Sequence, residues 1–180
     1  LKSVHVMESL KTELHCHNVF SNGHVGALEP IYDCNVTISK QLEQAHIAGL
    51  DVLFVTNHNT IDGYRQMLEY KKNHQKFDAL NVYPAEEVTT DNESHVLVYG
   101  IDHSIKSGLS LHEVLDEAKK QDAVTIAPHP FSLLDALRED SVYCDLFEEF
   151  NSSNVDVYSN LRAKKFAKEK SLHVVAGSDS

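Results

Sequence analysis

Apolar positions along the chain follow two alternating patterns. Seven short runs rich in β-forming residues alternate with segments in which apolar residues recur at helical spacing. The runs predict strands over residues 12–17, 52–58, 80–88, 95–101, 123–129, 145–151 and 173–179. The helical spacing predicts helices over residues 39–49, 61–73, 111–121 and 160–170. Gly49 suits the end of the first helix, and Ser110 with Glu113 forms a capping-box pattern at the start of the third.

Several of the predicted strands are apolar throughout instead of alternating. Residues 52–55 read Val-Leu-Phe-Val, and residues 123–126 read Ala-Val-Thr-Ile. Continuous apolar strands are typical of parallel sheets that are covered by helices on both faces. Strands that alternate with helices predict βα units, and seven strands fit either an open doubly wound sheet or a barrel. We therefore expect an α/β fold, with residues 1–180 as a single domain.

Charge and composition narrow the function classes. The net charge of −11 disfavours nucleic acid and anionic membrane surfaces as partners, because such binders present basic surfaces. No apolar run approaches the roughly 20 residues that a membrane span needs, and the first residues lack a signal-peptide layout. The three cysteines are odd in number and widely spaced, so they do not form a disulfide framework. These features predict a cytoplasmic protein in a reducing compartment.

Histidine is unusually frequent, with 12 residues against 16 lysines and arginines. Histidine is the most common metal ligand in proteins. Many ligand-type side chains fall where predicted strands end, and in α/β barrels the carboxyl ends of the strands form the active site. This clustering favours a barrel with a metal site at its mouth. The residues concerned are His15, His17, His58, Glu86, Glu87, His129 and Asp179, with His95 at the start of its strand instead.

Each of these residues also has a plain structural interpretation. His15 and His17, on one face of a strand, would chelate a metal, yet a His-x-His pair often occurs by chance. Only one of Glu86 and Glu87 faces the site in an extended segment, and the pattern does not say which. Asp179 also suits an ordinary turn. It is the set of ligand-type residues at strand ends that favours a metal site.

Six short motifs contain these residues and follow one another along the chain. They are residues 13–23 (ELHCHNVFSNG), 56–59 (TNHN), 85–89 (AEEVT), 94–100 (SHVLVYG), 127–130 (APHP) and 177–180 (GSDS). As an ordered set, these motifs resemble the PHP (polymerase and histidinol phosphatase) superfamily of metal-dependent phosphoesterases, and the first of them resembles the family pattern Asp-Leu-His-x-His-x-x-x-Ser-Asp-Gly. The resemblance implies a distorted, seven-stranded, TIM-like β/α barrel.

The resemblance also implies a metal centre. It implies two or three divalent metal ions, with Zn, Mn or Fe as the typical choices, and it favours Glu87 over Glu86. The ligands that it implies are His15, His17, Asn22, His58, Glu87, His95, His129 and Asp179.

The chain departs from the family pattern at three places. Asn22 stands where the family has a ligating Asp, and its neutral amide oxygen is a weaker donor, so His24 is an alternative ligand. Asn57 replaces an Asp beside His58, and we expect it to act behind the ligands. The chain stops at Ser180, where a ligating His would follow in the family, so a C-terminal truncation is expected.

The predicted function is a metal-dependent phosphoesterase that hydrolyses a small phosphate ester or a nucleotide through a metal-bridging hydroxide. Glu87 would hold two metals, and His95, His24 or a metal-bound water would protonate the leaving group. Substrate contacts are expected from His24 and Arg162. One alternative is a catalytically degenerate, metal-stabilised PHP module in a larger assembly. Another is an amidohydrolase-type enzyme, although no lysine ends a buried-strand pattern as that chemistry would require.

Overall fold

The secondary structure follows the predicted alternation of strands and helices. A computed structural model describes residues 9–23 and 33–180. The strands are β1 (Thr12–Glu13), β2 (Val52–Val55), β3 (Asn81–Thr89), β4 (His95–Tyr99), β5 (Val124–Ala127), β6 (Leu146–Asn151) and β7 (Val174–Gly177). The helices are α1 (Ile38–Ala48), α2 (Asp62–Lys72), α3 (Leu111–Lys120) and α4 (Val157–Lys170), with short 3-10 helices at Val19–Ser21, Gln75–Phe77 and Arg138–Tyr143. The predicted strands and helices are all present, with shifted ends.

Local capping explains where the helices begin and end. Gly49 ends α1 in the left-handed conformation, with φ of 66°, which glycine adopts without strain. Ser110 and Glu113 form the predicted capping box at the start of α3. α4 begins before the predicted residue 160, because the Asp156 side chain accepts hydrogen bonds from two backbone N–H groups of its first turn.

The seven strands form one sheet in sequence order. All neighbouring pairs are parallel except β3–β4 and β4–β5, in which β4 runs antiparallel. The connection over residues 90–94 is too short for a parallel crossover, so β4 must reverse direction. Thr89 at the end of β3 pairs with His95 at the start of β4. This reversal brings His95 to the barrel end at which the other strands finish.

The two ends of the sheet approach each other at the barrel mouth. The Asp179 N–H donates to the carbonyl of His15 (2.7 Å), and the His17 N–H donates to the carbonyl of Ser180 (2.7 Å). The sheet is therefore a nearly closed, distorted barrel, and the predicted fold class is confirmed. The strand predicted over residues 12–17 is too long, because β1 ends at Glu13. His15 and His17 follow that strand, in the segment that closes the barrel.

Alternation along β3 decides which side chains point inward. Ala85 packs in the interior with Leu97, Tyr99 and Ile126, and this cluster forms a floor beneath the mouth. Glu87 lies two residues beyond Ala85 and shares its inward face, whereas Glu86 points to the outer face. Larger apolar clusters lie between the sheet and the helices. Within residues 9–23 and 33–180, no helix has the length and apolar character needed to cross a bilayer.

Candidate metal centre

The Glu87 carboxylate is the centre of the site. Its side chain is 1% exposed, and five imidazoles surround it. Oε2 lies 3.5 Å from His15 Nε2, 3.3 Å from His17 Nε2 and 3.4 Å from His58 Nδ1. Oε1 lies 3.2 Å from His95 Nδ1 and 3.0 Å from His129 Nε2. The two oxygens of one carboxylate therefore face two different sets of histidines.

Asp179 adds a carboxylate oxygen beside two of the imidazoles that face Glu87 Oε2. Its Oδ1 lies 3.3 Å from His15 Nε2 and 3.2 Å from His17 Nε2. With Glu87 Oε2, four potential ligand atoms are thus separated by 3.2–3.5 Å along the four measured edges. Ligand atoms about 2.0–2.1 Å from one cation lie about 3 Å or more apart. The donor atoms of His15, His17 and Glu87 fit one divalent cation, and those of His15, His129 and Asp179 form a second such group.

Several of these nitrogens lack a hydrogen-bond partner although they are buried. Nε2 of His15, Nε2 of His17, Nδ1 of His58 and Nδ1 of His95 all belong to this class. A buried polar atom without a partner is costly, so such atoms indicate that another partner, such as a metal ion, binds here. The residues present therefore fit a metal centre on two independent grounds, the spacing of the donors and their lack of other partners.

The charges around Glu87 also call for a cation. The carboxylates of Glu87, Asp179 and Glu148 converge here, and no lysine or arginine is among their partners in the described part of the chain. Burial works against a charged His17, yet its contacts with Asp179 and Glu87 raise its pKa to about 9. Burial also works against an ionised Glu87, but the imidazoles, led by His95, hold its pKa well below its usual value. Protons on imidazoles thus partly balance carboxylates that a metal would balance more fully.

Glu148 on β6 contacts His15 and His129 on the side that faces away from Glu87 and orients both residues. One of its oxygens lies 3.0 Å from His15 Nδ1, which leaves Nε2 directed at Glu87. The other accepts the His129 N–H (2.6 Å) and the amide of Asn151 (2.9 Å). Asn151 also donates to Asp179 (3.0 Å). Such partners orient metal ligands and fix the tautomer of a ligating histidine.

Two of the candidate ligands at the mouth have unusual backbone conformations. His129 has a φ of +28° and Asp179 a φ of +54°, both in the left-handed region that most residues avoid. Unusual backbone conformations of this kind concentrate at functional sites. At Gly177 a Cβ would collide with the Glu148 carboxylate and with Cβ of His15. Only glycine leaves room for that pair.

A relative by sequence places the chain in a family. The uncharacterized protein MJ1587 of Methanocaldococcus jannaschii is 30% identical over 165 residues, which span 89% of this chain and 93% of MJ1587. This chain belongs to the MJ1587 family. No model of a known protein family matches the chain. Because MJ1587 is uncharacterized, membership of its family brings no activity with it.

Solved structures share the fold of this MJ1587-family chain. A provisionally assigned metal-dependent phosphoesterase from Bifidobacterium adolescentis has a TM-score of 0.69 at 16% identity, covering 96% of this chain and 88% of its own. Endonuclease Q, solved with a duplex that has an abasic lesion at the active site, has a TM-score of 0.64 at 16% identity. That match covers 95% of this chain and 49% of Endonuclease Q. At these identities the likeness shows the fold alone.

The structure brings most of the sequence-predicted ligands together. Glu87, and not Glu86, faces the cluster, which settles the alternative that the alternating pattern left open. The predicted ligands that meet at the mouth are His15, His17, His58, Glu87, His95, His129 and Asp179.

Two other predicted residues, Asn22 and Arg162, do not join this cluster. Arg162 lies over the ring of Phe131, 4.3 Å from its centroid, and pairs with Glu139 (2.9 Å). It therefore has partners on the α4 side, away from Glu87.

The amide of Asn22 is directed at the backbone of residues 33–34. His24 lies outside the described residues. Asn57, expected behind the ligands, is buried and hydrogen-bonded to Asn18 and Ser21.

Sequence reasoning missed three carboxylate and amide residues at the site. Glu148 and Asn151 lie on β6, and a buried polar residue at that strand's end was a usable signal. Asp33 precedes α1 in a loop without a strand pattern, so no local signal marked it. Its carboxylate lies 3.6 Å from His17 Nδ1 and 3.8 Å from His58 Nε2.

A cavity of about 470 Å³ opens beside the metal-facing groups. His129 and Asp179 form its inner wall, and the exposed side chains of Leu133, Leu134 and Val155 form an apolar part of its rim. None of the described residues that line it is a lysine or an arginine. The cavity offers room for an organic group next to the candidate metal centre.

Proposed function

We propose that this protein is a metal-dependent phosphoesterase of the PHP type, which hydrolyses a small phosphate ester or a nucleotide at the barrel mouth. The observation that carries the proposal is the group of donor atoms around Glu87, spaced as ligands of a shared cation. The proposed ligands are His15, His17, His58, Glu87, His95, His129 and Asp179.

A mixture of imidazole and carboxylate donors suits Zn, Mn or Fe. Two or three such cations, when bound, lower the pKa of water and offset the negative charge of a phosphate group. Glu87 would hold two of them, since Oε2 faces His15 and His17 while Oε1 faces His95 and His129. Glu148 keeps His15 in the orientation that this role needs.

The chain's own residues also supply the means to handle the leaving group. His95 directs Nδ1 at Glu87, at 3.2 Å, so its ligand role uses that nitrogen. Its Nε2 is then the atom that holds a proton for the departing alkoxide. Glu87 and His95 are therefore the proposed catalytic pair, one holding the cations and the other serving the leaving group.

The surroundings favour a small substrate over a nucleic acid. The apolar rim of Leu133, Leu134 and Val155 suits an uncharged organic group. The net charge of −11 opposes an extended polyanion. The degenerate-module alternative is not favoured, because the donor set around Glu87 retains imidazoles on both carboxylate oxygens.

The test combines metal analysis with a substrate panel. Protein purified without a histidine tag or chelator is analysed for Zn, Mn and Fe. It is then assayed with 4-nitrophenyl phosphate, bis(4-nitrophenyl) phosphate, adenosine monophosphate and a DNA duplex. We expect two or three metal equivalents and hydrolysis of a small ester that chelation abolishes and metal restores. Bound metal without phosphoester hydrolysis would contradict the activity, and failure to retain or regain metal would contradict the centre itself.

A further inference from the structure

We propose that Asp33 and His58 form a further cation position beside the Glu87 centre, and that Asn22 holds Asp33 there and is not itself a ligand. This inference rests on the proposed metal centre and extends it to a loop residue. The expected ligand is a divalent cation that keeps water at most of its coordination positions, such as Mn²⁺.

The distances place Asp33 next to imidazole nitrogens without a hydrogen bond to them. Oδ1 lies 3.8 Å from His58 Nε2, and Oδ2 lies 3.6 Å from His17 Nδ1. Such distances are too long for hydrogen bonds. Two ligand atoms about 2.1–2.2 Å from one cation lie about 3 to 3.8 Å apart, depending on the angle between them. The Asp33 side chain is 23% exposed, so the position is open to water.

His58, and not His17, is the imidazole that remains for Asp33. A neutral imidazole binds a cation through one nitrogen while the other carries a proton. His17 directs Nε2 at Glu87 and Asp179, and its Nδ1 shares a hydrogen bond with the Ser21 hydroxyl (3.1 Å). Its two nitrogens are therefore both committed.

His58 is differently placed, because its two ring nitrogens face two different carboxylates, those of Glu87 and Asp33. Nε2 of His15 and Nε2 of His17 already lie 3.5 Å and 3.3 Å from Glu87 Oε2, at ligand spacing. With a cation on Nε2, the proton of the neutral His58 ring would lie on Nδ1, 3.4 Å from Glu87 Oε2, so His58 would bind its cation through Nε2 and not through Nδ1. This Nε2 faces Asp33.

Asn22 uses its whole amide group to hold the Asp33 loop. Its Oδ1 accepts the N–H of Asp33 (2.7 Å) and the N–H of Cys34 (3.1 Å), while its Nδ2 donates to the carbonyl of Cys34 (2.8 Å). Both lone pairs of the oxygen are engaged, so little capacity remains for a metal. An Asp at this position would turn a carboxylate oxygen toward the Cys34 carbonyl and repel it. The amide is therefore the group that this position requires.

The test measures metal binding by the full chain and does not depend on turnover. Metal-free protein is titrated with Mn²⁺ by calorimetry, and free Mn²⁺ is counted by electron paramagnetic resonance. Asp33→Asn keeps the side-chain shape and removes the charge, and thermal unfolding checks its fold. Asp62→Asn, at an exposed aspartate on α2, is the matched control.

We expect Asp33→Asn to lower the Mn²⁺ affinity of the weakest class of binding site at least about tenfold and to leave the affinity of the tighter sites unchanged. Asp62→Asn should bind Mn²⁺ like the wild type. Asn22→Asp should also lower the Mn²⁺ affinity of the weakest class. Unchanged binding by folded Asp33→Asn would overturn the Asp33 position, as would loss of every Mn²⁺ class. Tighter binding by Asn22→Asp would overturn the role given to Asn22. A wild type that binds no Mn²⁺, Zn²⁺ or Fe²⁺ would instead overturn the proposed centre as a whole.

Discussion

Glu86 and Glu87 are neighbours on β3 and equally buried, yet they face opposite sides of the sheet. Glu87 points into the barrel among imidazoles, and its pKa is held well below the usual value. Glu86 points outward and accepts the N–H of Ile105 (2.6 Å), while its other oxygen has no hydrogen-bond partner. Burial raises the pKa of Glu86 to about 7. Burial therefore does not decide the charge of a carboxylate by itself, because its partners can reverse the effect.

The sharpest way to test this contrast is to neutralise each glutamate in turn. Glu87→Gln should lose bound metal and at least about 100-fold in phosphoester hydrolysis, since loss of a shared ligand should exceed the effect of losing an outer partner. Glu86→Gln, on the outer face, should retain both properties. Elemental analysis and 4-nitrophenyl phosphate hydrolysis measure the difference, with circular dichroism as the control for folding. Equal losses in the two variants would mean that the inward face is not the functional one.

The charge of Glu86 should also appear as a dependence of stability on pH. Its pKa is raised from the ordinary 4.5 to about 7, so the folded state binds more protons than the unfolded state between these values. The contribution of Glu86 to the free energy of unfolding therefore falls as pH rises through this window. Glu86→Gln has no carboxyl group to ionise, so its free energy of unfolding should not fall for this reason as pH rises. We expect the variant to exceed the wild type by up to about 3 kcal/mol above pH 7, with the difference vanishing below the window.

Urea denaturation of metal-free protein across pH 4 to 8 measures this difference. The comparison between the two proteins cancels the titration of the other groups. A difference that stays constant with pH would show that Glu86 has the same pKa in the folded and unfolded states, and the contrast with the pKa of Glu87 would then not hold.

A variant of Glu148 tests whether the metal site around Glu87 depends on the hydrogen bonds that orient its ligands. Glu148→Gln would direct an amide NH₂ toward the His129 N–H or leave His15 without its acceptor. Metal affinity should therefore fall about 10- to 100-fold. Glu149→Gln, at the next residue of β6, is the matched control and should bind metal like the wild type. Calorimetric titration with Zn²⁺ or Mn²⁺ gives both affinities, and indistinguishable values would mean that Glu148 does not position His15.

The smallest expected effect lies away from both glutamates. Ser110→Ala removes the capping box of α3 and should destabilise the fold by about 1 kcal/mol. Because Ser110 does not touch the site, metal content should be unchanged. Thermal unfolding and elemental analysis measure the two quantities together. A change in metal content would show that the centre responds to a general loss of stability. The metal losses of the glutamate variants would then have to be compared with variants of equal stability.

Local pattern was sufficient to predict the elements but not their arrangement. The strand and helix positions followed from apolar spacing, and Gly49 and Ser110 marked real ends. The direction of β4 did not follow from its composition, although the shortness of the 90–94 connection required it to reverse. The placement of His95 at the mouth depends on that reversal. Asp33 was missed because it comes close to His58 only through the loop that Asn22 holds.

The sequence by itself determined the alternation of strands and helices, the acidic charge, and the supply of histidines and carboxylates at strand ends. These properties depend on residues close together in the chain. Only the tertiary structure decided that Glu87 faces inward and Glu86 outward, and that Glu148 stands behind His15. An alternating strand has two equivalent faces until its register against other strands fixes which one is buried inside. The candidate metal centre exists because that register brings distant segments together around one carboxylate.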